Sequence, residues 1–208
     1  FKATSLKTLM EKTENAVMRF GTTGTLDDTK THKLMLEGLF GPVRRFTTSK
    51  QLMKDGQLAK LKISCIMLNY ADEIRQANKK LSYQEEMDFL VSHTPRNNFI
   101  RNLAVDQTGN TLLLFQYVEK HGKILYDMIK DRAKDRKIFF VYGGVGATER
   151  EDIRAITEQE NDAIIVASYG TFSTGINIRN LHNIIFASPS KSKIRNLQSI
   201  GRGLRLGD

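Results

Sequence analysis

Ala163-Ile164-Ile165-Val166-Ala167 is an uninterrupted apolar run of strand length, and Ser168-Tyr169-Gly170-Thr171-Phe172-Ser173-Thr174-Gly175-Ile176-Asn177-Ile178 follows it directly. A strand wetted on one face alternates apolar and polar residues, whereas one covered on both faces stays apolar throughout. Similar runs stand at residues 63–68, 111–115, 137–141 and 183–187. Helical stretches lie between them: 118–133, with apolar residues at the 3.6-residue period, 149–159, and 194–205. The alternation predicts an α/β fold, a parallel sheet with helices on both faces joined by right-handed crossovers.

Outward from this pattern, residues 70–106 read as helical and polar, with Ser82 an N-cap and Glu85 closing a capping box. That stretch is expected as an insertion or lead-in beside the sheet. The first sixty residues read differently. A helix over 5–13 precedes the apolar run Ala16-Val17-Met18-Arg19-Phe20, which ends in the polar turn Gly21-Thr22-Thr23-Gly24-Thr25-Leu26. A helix over 31–39 is closed by Gly41-Pro42, and Ser49 is placed to cap a short helix over 50–54 that Gly56 ends. One or two strands are too few for a sheet. Residues 1–60 therefore read as the remnant of one domain, with an exposed apolar face, and 61–208 as a second domain. A start at Phe1 and a stop just past a motif predict a piece of a longer chain.

With 208 residues and 40% hydrophobic content the chain can bury a core, and it contains no apolar stretch of membrane-spanning length. No signal-peptide pattern opens it, and a cytosolic location fits best. Cys65 lies in an apolar run and reads as a buried small hydrophobe. His32, His93, His121 and His182 are scattered without ligand spacing, so structural roles and no metal site are expected. The net charge of +9 favours a polyanionic partner. Arg44, Arg45, Lys50, Lys54, Lys60 and Lys62 face only Asp55, and Lys191, Lys193, Arg195, Arg202 and Arg205 face no acid. Each cluster reads either as solvated surface or as a nucleic-acid contact.

In open parallel sheets, ligands bind at the carboxyl ends of the strands. The segments there each carry something. Thr23-Gly24-Thr25 offers hydroxyls around a glycine that permits close backbone approach. Gln116 opens a helix whose free N–H groups suit a phosphate. In Tyr142-Gly143-Gly144-Val145-Gly146-Ala147-Thr148-Glu149-Arg150 the glycines admit a ligand, and Thr148 is placed as a helix cap; the Gly-x-Gly-x-x-Gly spacing is not met. The hydroxyl-rich loop after Ala167 suits backbone phosphate contacts. Lys191 and Lys193, after the break at Ser188-Pro189-Ser190, either touch nucleic acid or face water. Last comes Gln198-x-x-Gly201-Arg202-x-x-Arg205. Arginines at i and i+3 share a helical face, and their planar guanidinium groups bind phosphate oxygens bidentately.

This ordered series resembles superfamily 2 helicases. Thr23, Gly24 and Thr25 resemble motif III, the segment from Gln116 motif IV, Ser168 to Asn177 motif V, and Gln198 to Arg205 motif VI; residues 47–59 are similar to the link between two lobes. The resemblance implies the end of a first RecA-like lobe in 1–60 and a second RecA-like lobe in 61–208. It implies Arg202, Arg205 and Gln198 as catalytic, Gly175, Asn177 and Gly201 as nucleotide-binding, and Thr23, Gly24 and Thr25 as coupling. Gln116, Gly143, Gly144, Arg150, Ser168, Thr171 and Lys191 would contact DNA. Asn177 departs from the Asp of many relatives: its amide hydrogen-bonds but cannot ion-pair.

An ATPase of this class needs a P-loop lysine and a magnesium carboxylate. No Gly-x-x-x-x-Gly-Lys-Ser/Thr occurs here, and Asp72-Glu73-Ile74-Arg75 falls after motif III in a helical stretch, so it reads as surface. The resemblance places the P-loop and acidic box upstream of Phe1, where most of the ATP and Mg2+ would be held. The implied protein is an ATP-dependent DNA helicase or translocase, monomeric, acting on branched or junction-bearing duplex DNA, with an RNA–DNA hybrid also open. The competing readings are a non-catalytic basic nucleic-acid-binding module of helicase-like fold and a restriction-type translocase subunit.

Overall fold

The computed structural model describes residues 4–23, 26, 30–175, 178, 180–190 and 192–203. They belong to two compact units, Phe1–Asp55 and Gly56–Asp208.

The first unit carries α1 (Thr4–Glu11), α2 (Lys30–Phe40) and α3 (Ser49–Lys54). Gly41, at φ +82°, closes α2 by donating its N–H to the Glu37 carbonyl at 2.8 Å, a left-handed conformation that only glycine adopts cheaply. The cap of α3 is Thr48 rather than Ser49: the Thr48 hydroxyl accepts from the Gln51 N–H, and Ser49 is already helical. None of the described residues of this unit forms a strand. The apolar run at 16–20 stands in water, with Val17 95% and Phe20 84% exposed.

In the second unit, α4 (Asp72–Ala77), α5 (Tyr83–Ser92) and α6 (Thr94–Asp106) fill the helical stretch expected before the sheet. The capping box forms as read: the Ser82 hydroxyl accepts from the Glu85 N–H, and the Glu85 carboxylate accepts from the Ser82 N–H at 2.8 Å. That bonding holds the Glu85 carboxyl below its usual pKa. Asp72 and Arg75 pair with each other on the surface of α4.

The sheet comprises β1 (Thr111–Phe115), β2 (Ile138–Val141), β3 (Ile164–Ser168) and β4 (Asn183–Phe186) in the order β2-β3-β1-β4, all parallel. β1 sets Leu113 opposite Val166 and Ile185, so the central apolar runs share one register. Alternate residues go to opposite faces. Leu113, Phe115, Ile164 and Val166 pack with Ile100 and Ala104 of α6 and with Leu125 and Ile129 of α7 (Lys123–Arg132). Leu112, Leu114, Ile165 and Ala167 pack with Ile153 of α8 (Ala147–Gln159) and with Tyr169 and Phe172 of α9 (Tyr169–Gly175). Burial on both faces is why these runs hold no polar alternation. The chain runs outward from β1 to β2, then reverses through β3 to β4. Right-handed crossovers in opposite directions must use opposite faces, which puts α7 on one side and α8 and α9 on the other.

Three further readings are corrected. Residues 63–68 form no strand: Ile63 is 66% and Met67 85% exposed, because no strand pairs with them among the described residues. Cys65, in that segment, is exposed rather than buried. The hydroxyl-rich stretch after β3 is the helix α9 up to Gly175, not a loop. No helix among the described residues is long and apolar enough to cross a membrane.

Candidate functional site

The connections after β1 and β3 leave adjacent strands for opposite faces of the sheet. This is the switch point where an open α/β sheet parts to form a crevice. After β1 the backbone passes Gln116 and Tyr117 into a π-helical turn, Val118–Gly122, in which the Gly122 N–H donates to the Tyr117 carbonyl at 2.9 Å. After β3 it enters α9 at once, and after β4 it passes Ala187 and Ser188 toward α10 (Lys193–Gly203). The turn after β2 is closed by the Val145 N–H on the Tyr142 carbonyl at 3.0 Å.

A buried polar network ties three of these connections together. Ser188 is 2% exposed, and its Oγ accepts from the Gln116 N–H at 3.0 Å. The same oxygen lies 2.9 Å from Nδ1 of the fully buried His121. The other ring nitrogen, Nε2, is 3.2 Å from Asn97 Oδ1. Asn97 Nδ2 donates to the Val91 carbonyl at 2.8 Å, which turns Oδ1 toward the imidazole as an acceptor. His121 therefore carries its proton on Nε2, and Nδ1 accepts from the Ser188 hydroxyl. Burial, and secondarily the Arg96 charge, lowers the His121 pKa to about 4, consistent with a neutral ring. Tyr169, the first residue of α9, donates its phenol to the Ser188 carbonyl at 2.7 Å. Arg96 Nη2 donates to the Ala187 carbonyl at 2.5 Å, anchoring α6 to the end of β4, and burial lowers the Arg96 pKa.

The described residues singled out from sequence in the second unit lie at the ends of the four strands or on the segments that follow them. Gln116 is exposed, and its backbone N–H is the group bound to Ser188. Gly143 and Gly144 lie exposed in the turn after β2; a Cβ on Gly144 would come within 2.6 Å of the Tyr142 ring, so a larger residue there must displace that ring. Arg150, on the first turn of α8, reaches back with Nε to the Gly146 carbonyl at 3.4 Å. Thr148 is not the cap of α8; Gly146 occupies that position without a side-chain bond. Ser168 and Thr171 hold each other through their hydroxyls at 2.8 Å, with Thr171 buried and Ser168 half-buried. Gly175 ends α9.

On α10, Ser199 is buried while Gln198 and Gly201 face solvent. Arg202 follows Gln198 by four residues in the same helix, hence on the same helical face by period. The helix is tethered to the β4 connection by Asn196 Nδ2, which donates to the Ser190 carbonyl at 3.1 Å. Thr23 is exposed in the first unit. Gly24, Thr25, Asn177, Lys191 and Arg205 lie outside the described residues. Among the described residues no three His, Cys, Asp or Glu side chains gather where they could hold a metal ion.

Sequence reading missed Ser188, Tyr169, Asn97 and Arg96, and gave His121 only a general structural role. Ser188 had one legible signal, a hydroxyl set immediately after an apolar strand run. Tyr169 and Asn97 had none, since their partners lie 19 and 24 residues away in sequence.

Residues 95–207 match the family described as the helicase conserved C-terminal domain. Over 204 residues the chain is 38% identical to the ATP-dependent DNA helicase uvsW of Enterobacteria phage T4, covering 97% of this chain. It spans 40% of that relative's length. The crystal structure of T4 UvsW superposes with a TM-score of 0.57 at 39% identity, over 64% of this chain and 27% of the other.

Proposed function

Because the chain belongs to the helicase conserved C-terminal domain family, we propose that it supplies the second RecA-like lobe, residues 61–208, and the end of a first lobe, residues 1–60, of an ATP-dependent DNA helicase. The activity proposed is unwinding or branch migration of branched DNA during recombination, repair and replication. The observation that supports this reading best is spatial. The segments resembling motifs IV and V leave the adjacent strands β1 and β3 at the carboxyl edge, and the segment resembling motif VI follows the neighbouring β4.

In this reading the arginine pair works across a cleft. ATP supplies the γ-phosphoryl group whose transfer drives the motion; its P-loop and magnesium carboxylate belong to a lobe outside these 208 residues. Arg202 and Arg205, three residues apart in sequence, bring two permanently charged guanidinium groups to the phosphate and stabilise charge that develops on its oxygens. Arginine fingers of this kind contribute about 10³–10⁵ in rate. Gln198 stands one turn earlier to position the attacking water, and Gly201, Gly175 and Asn177 let the backbone and an amide approach the nucleotide. The exposed glycine turn at Gly143 and Gly144, with Arg150, Gln116, Ser168 and Lys191, holds the phosphodiester backbone without reading its sequence, and the buried Thr171, expected from sequence to touch DNA, instead steadies Ser168 from behind. Thr23, Gly24 and Thr25 transmit lobe closure.

The test is strand separation by the full-length protein. A four-way junction with one labelled strand should be resolved only when ATP is present. A binding module would retain the junction without separating it, and that result would displace the motor reading.

A further inference from the structure

Ser188 is the one position in the described network where three carboxyl-end connections meet. Its Oγ takes the Gln116 N–H of the β1 connection at 3.0 Å and faces His121 at 2.9 Å, and its carbonyl takes the Tyr169 phenol of α9 at 2.7 Å. Two residues on, Ser190 accepts from Asn196 of α10, so the helix bearing Gln198 and Arg202 hangs from the same connection. Ser188 and His121 are closed off from solvent, which rules out direct contact with either DNA or nucleotide.

We propose that Ser188 is a positioning residue that couples the DNA-contacting segments to the arginine helix, with His121 and Tyr169 as its two braces. The inference rests on the motor reading above. Its physical content is a short, buried hydrogen-bond relay. A shift of Gln116 or of α9 on the DNA moves a group bonded to Ser188, and a buried hydrogen bond left unmade is costly. Because packed and hydrogen-bonded cores rearrange between discrete states, the shift passes to the Ser188–Ser190 connection and so to α10. His121 stiffens the relay from behind: Asn97 fixes its tautomer, so Nδ1 is always the acceptor for the Ser188 hydroxyl.

The experiment measures, in the full-length protein, ATP turnover without DNA, turnover with saturating DNA, DNA affinity, and thermal midpoint. Ser188→Ala removes the hydroxyl, and Tyr169→Phe removes only the phenol oxygen while keeping the ring that packs in the core. Coupling predicts that each variant lowers the ratio of DNA-stimulated to basal turnover by at least about fivefold, while basal turnover and DNA affinity hold. Tyr169→Phe carries the test should Ser188→Ala fold poorly. An unchanged ratio in both variants overturns the proposal, as does a parallel fall of basal turnover, affinity and midpoint, which marks a merely structural role. A wild-type protein whose ATP turnover ignores DNA overturns the motor reading itself and is recognised before any variant is made.

Discussion

Asn97 and His121 meet inside the core with Oδ1 3.2 Å from Nε2, where burial, with the Arg96 charge second, keeps the ring neutral. The folded-state pKa lies near 4, below the ordinary 6.5. The unfolded chain therefore binds this proton first as pH falls. Stability from this group is complete above about pH 6.5 and is lost progressively toward pH 4, by up to roughly 3 kcal/mol. Denaturant midpoints across that window check it: His121→Gln should have a shallower pH slope than the wild type by up to one proton.

Asn110 clasps the opposite edge of the sheet. Its Nδ2 donates to the carbonyls of Thr157, Glu160 and Asn180, and its Oδ1 accepts from the Ala163 N–H at 2.8 Å. Asn110→Ala leaves the Ala163 N–H without this acceptor and takes a donor from three carbonyls, of which Thr157 and Glu160 keep another, and should cost about 1–3 kcal/mol. Asn110→Asp should be at least as harmful, since a carboxylate accepts but cannot donate to three carbonyls. Urea unfolding of the three proteins decides between them.

Gly122 lets the π-helical turn settle on the Phe115 ring. A Cβ there would lie 2.5 Å from Phe115 Cε2 and Cζ, and that ring is buried and stacked on Phe140 at 5.5 Å. Gly122→Ala should destabilise by about 1–3 kcal/mol through overpacking, against a general helical preference for Ala. A thermal midpoint equal to or above the wild type would show that Phe115 moves aside freely.

Much of the fold was legible because its cause is local. The runs at 111–115, 137–141, 163–167 and 183–187 all carry strands; β1 and β3 are buried on both faces, whereas β2 is fully buried only at Val141 and β4 is half-buried and ends in an exposed Phe186. Ser82 and Glu85 carry their capping box in four consecutive residues. The run at 63–68 has the same composition yet forms no strand, because a strand needs a neighbour and composition does not report one. Thr48 displaced Ser49 as a cap because adjacent hydroxyls compete for one N–H, and backbone angles choose between them. The edge where the candidate site lies was legible from strand ends, but the Ser188 network was not. It joins residues 19 to 72 positions apart whose side chains are ordinary one by one.

The most direct test of the central claim, that the arginine pair completes a nucleotide site shared with another lobe, is DNA-stimulated ATP hydrolysis by the full-length protein carrying Arg205→Ala, with DNA affinity measured alongside. A phosphate-reaching arginine predicts a loss of turnover of about 10³-fold or more with DNA affinity nearly unchanged. Normal DNA-stimulated turnover in that variant would contradict the account.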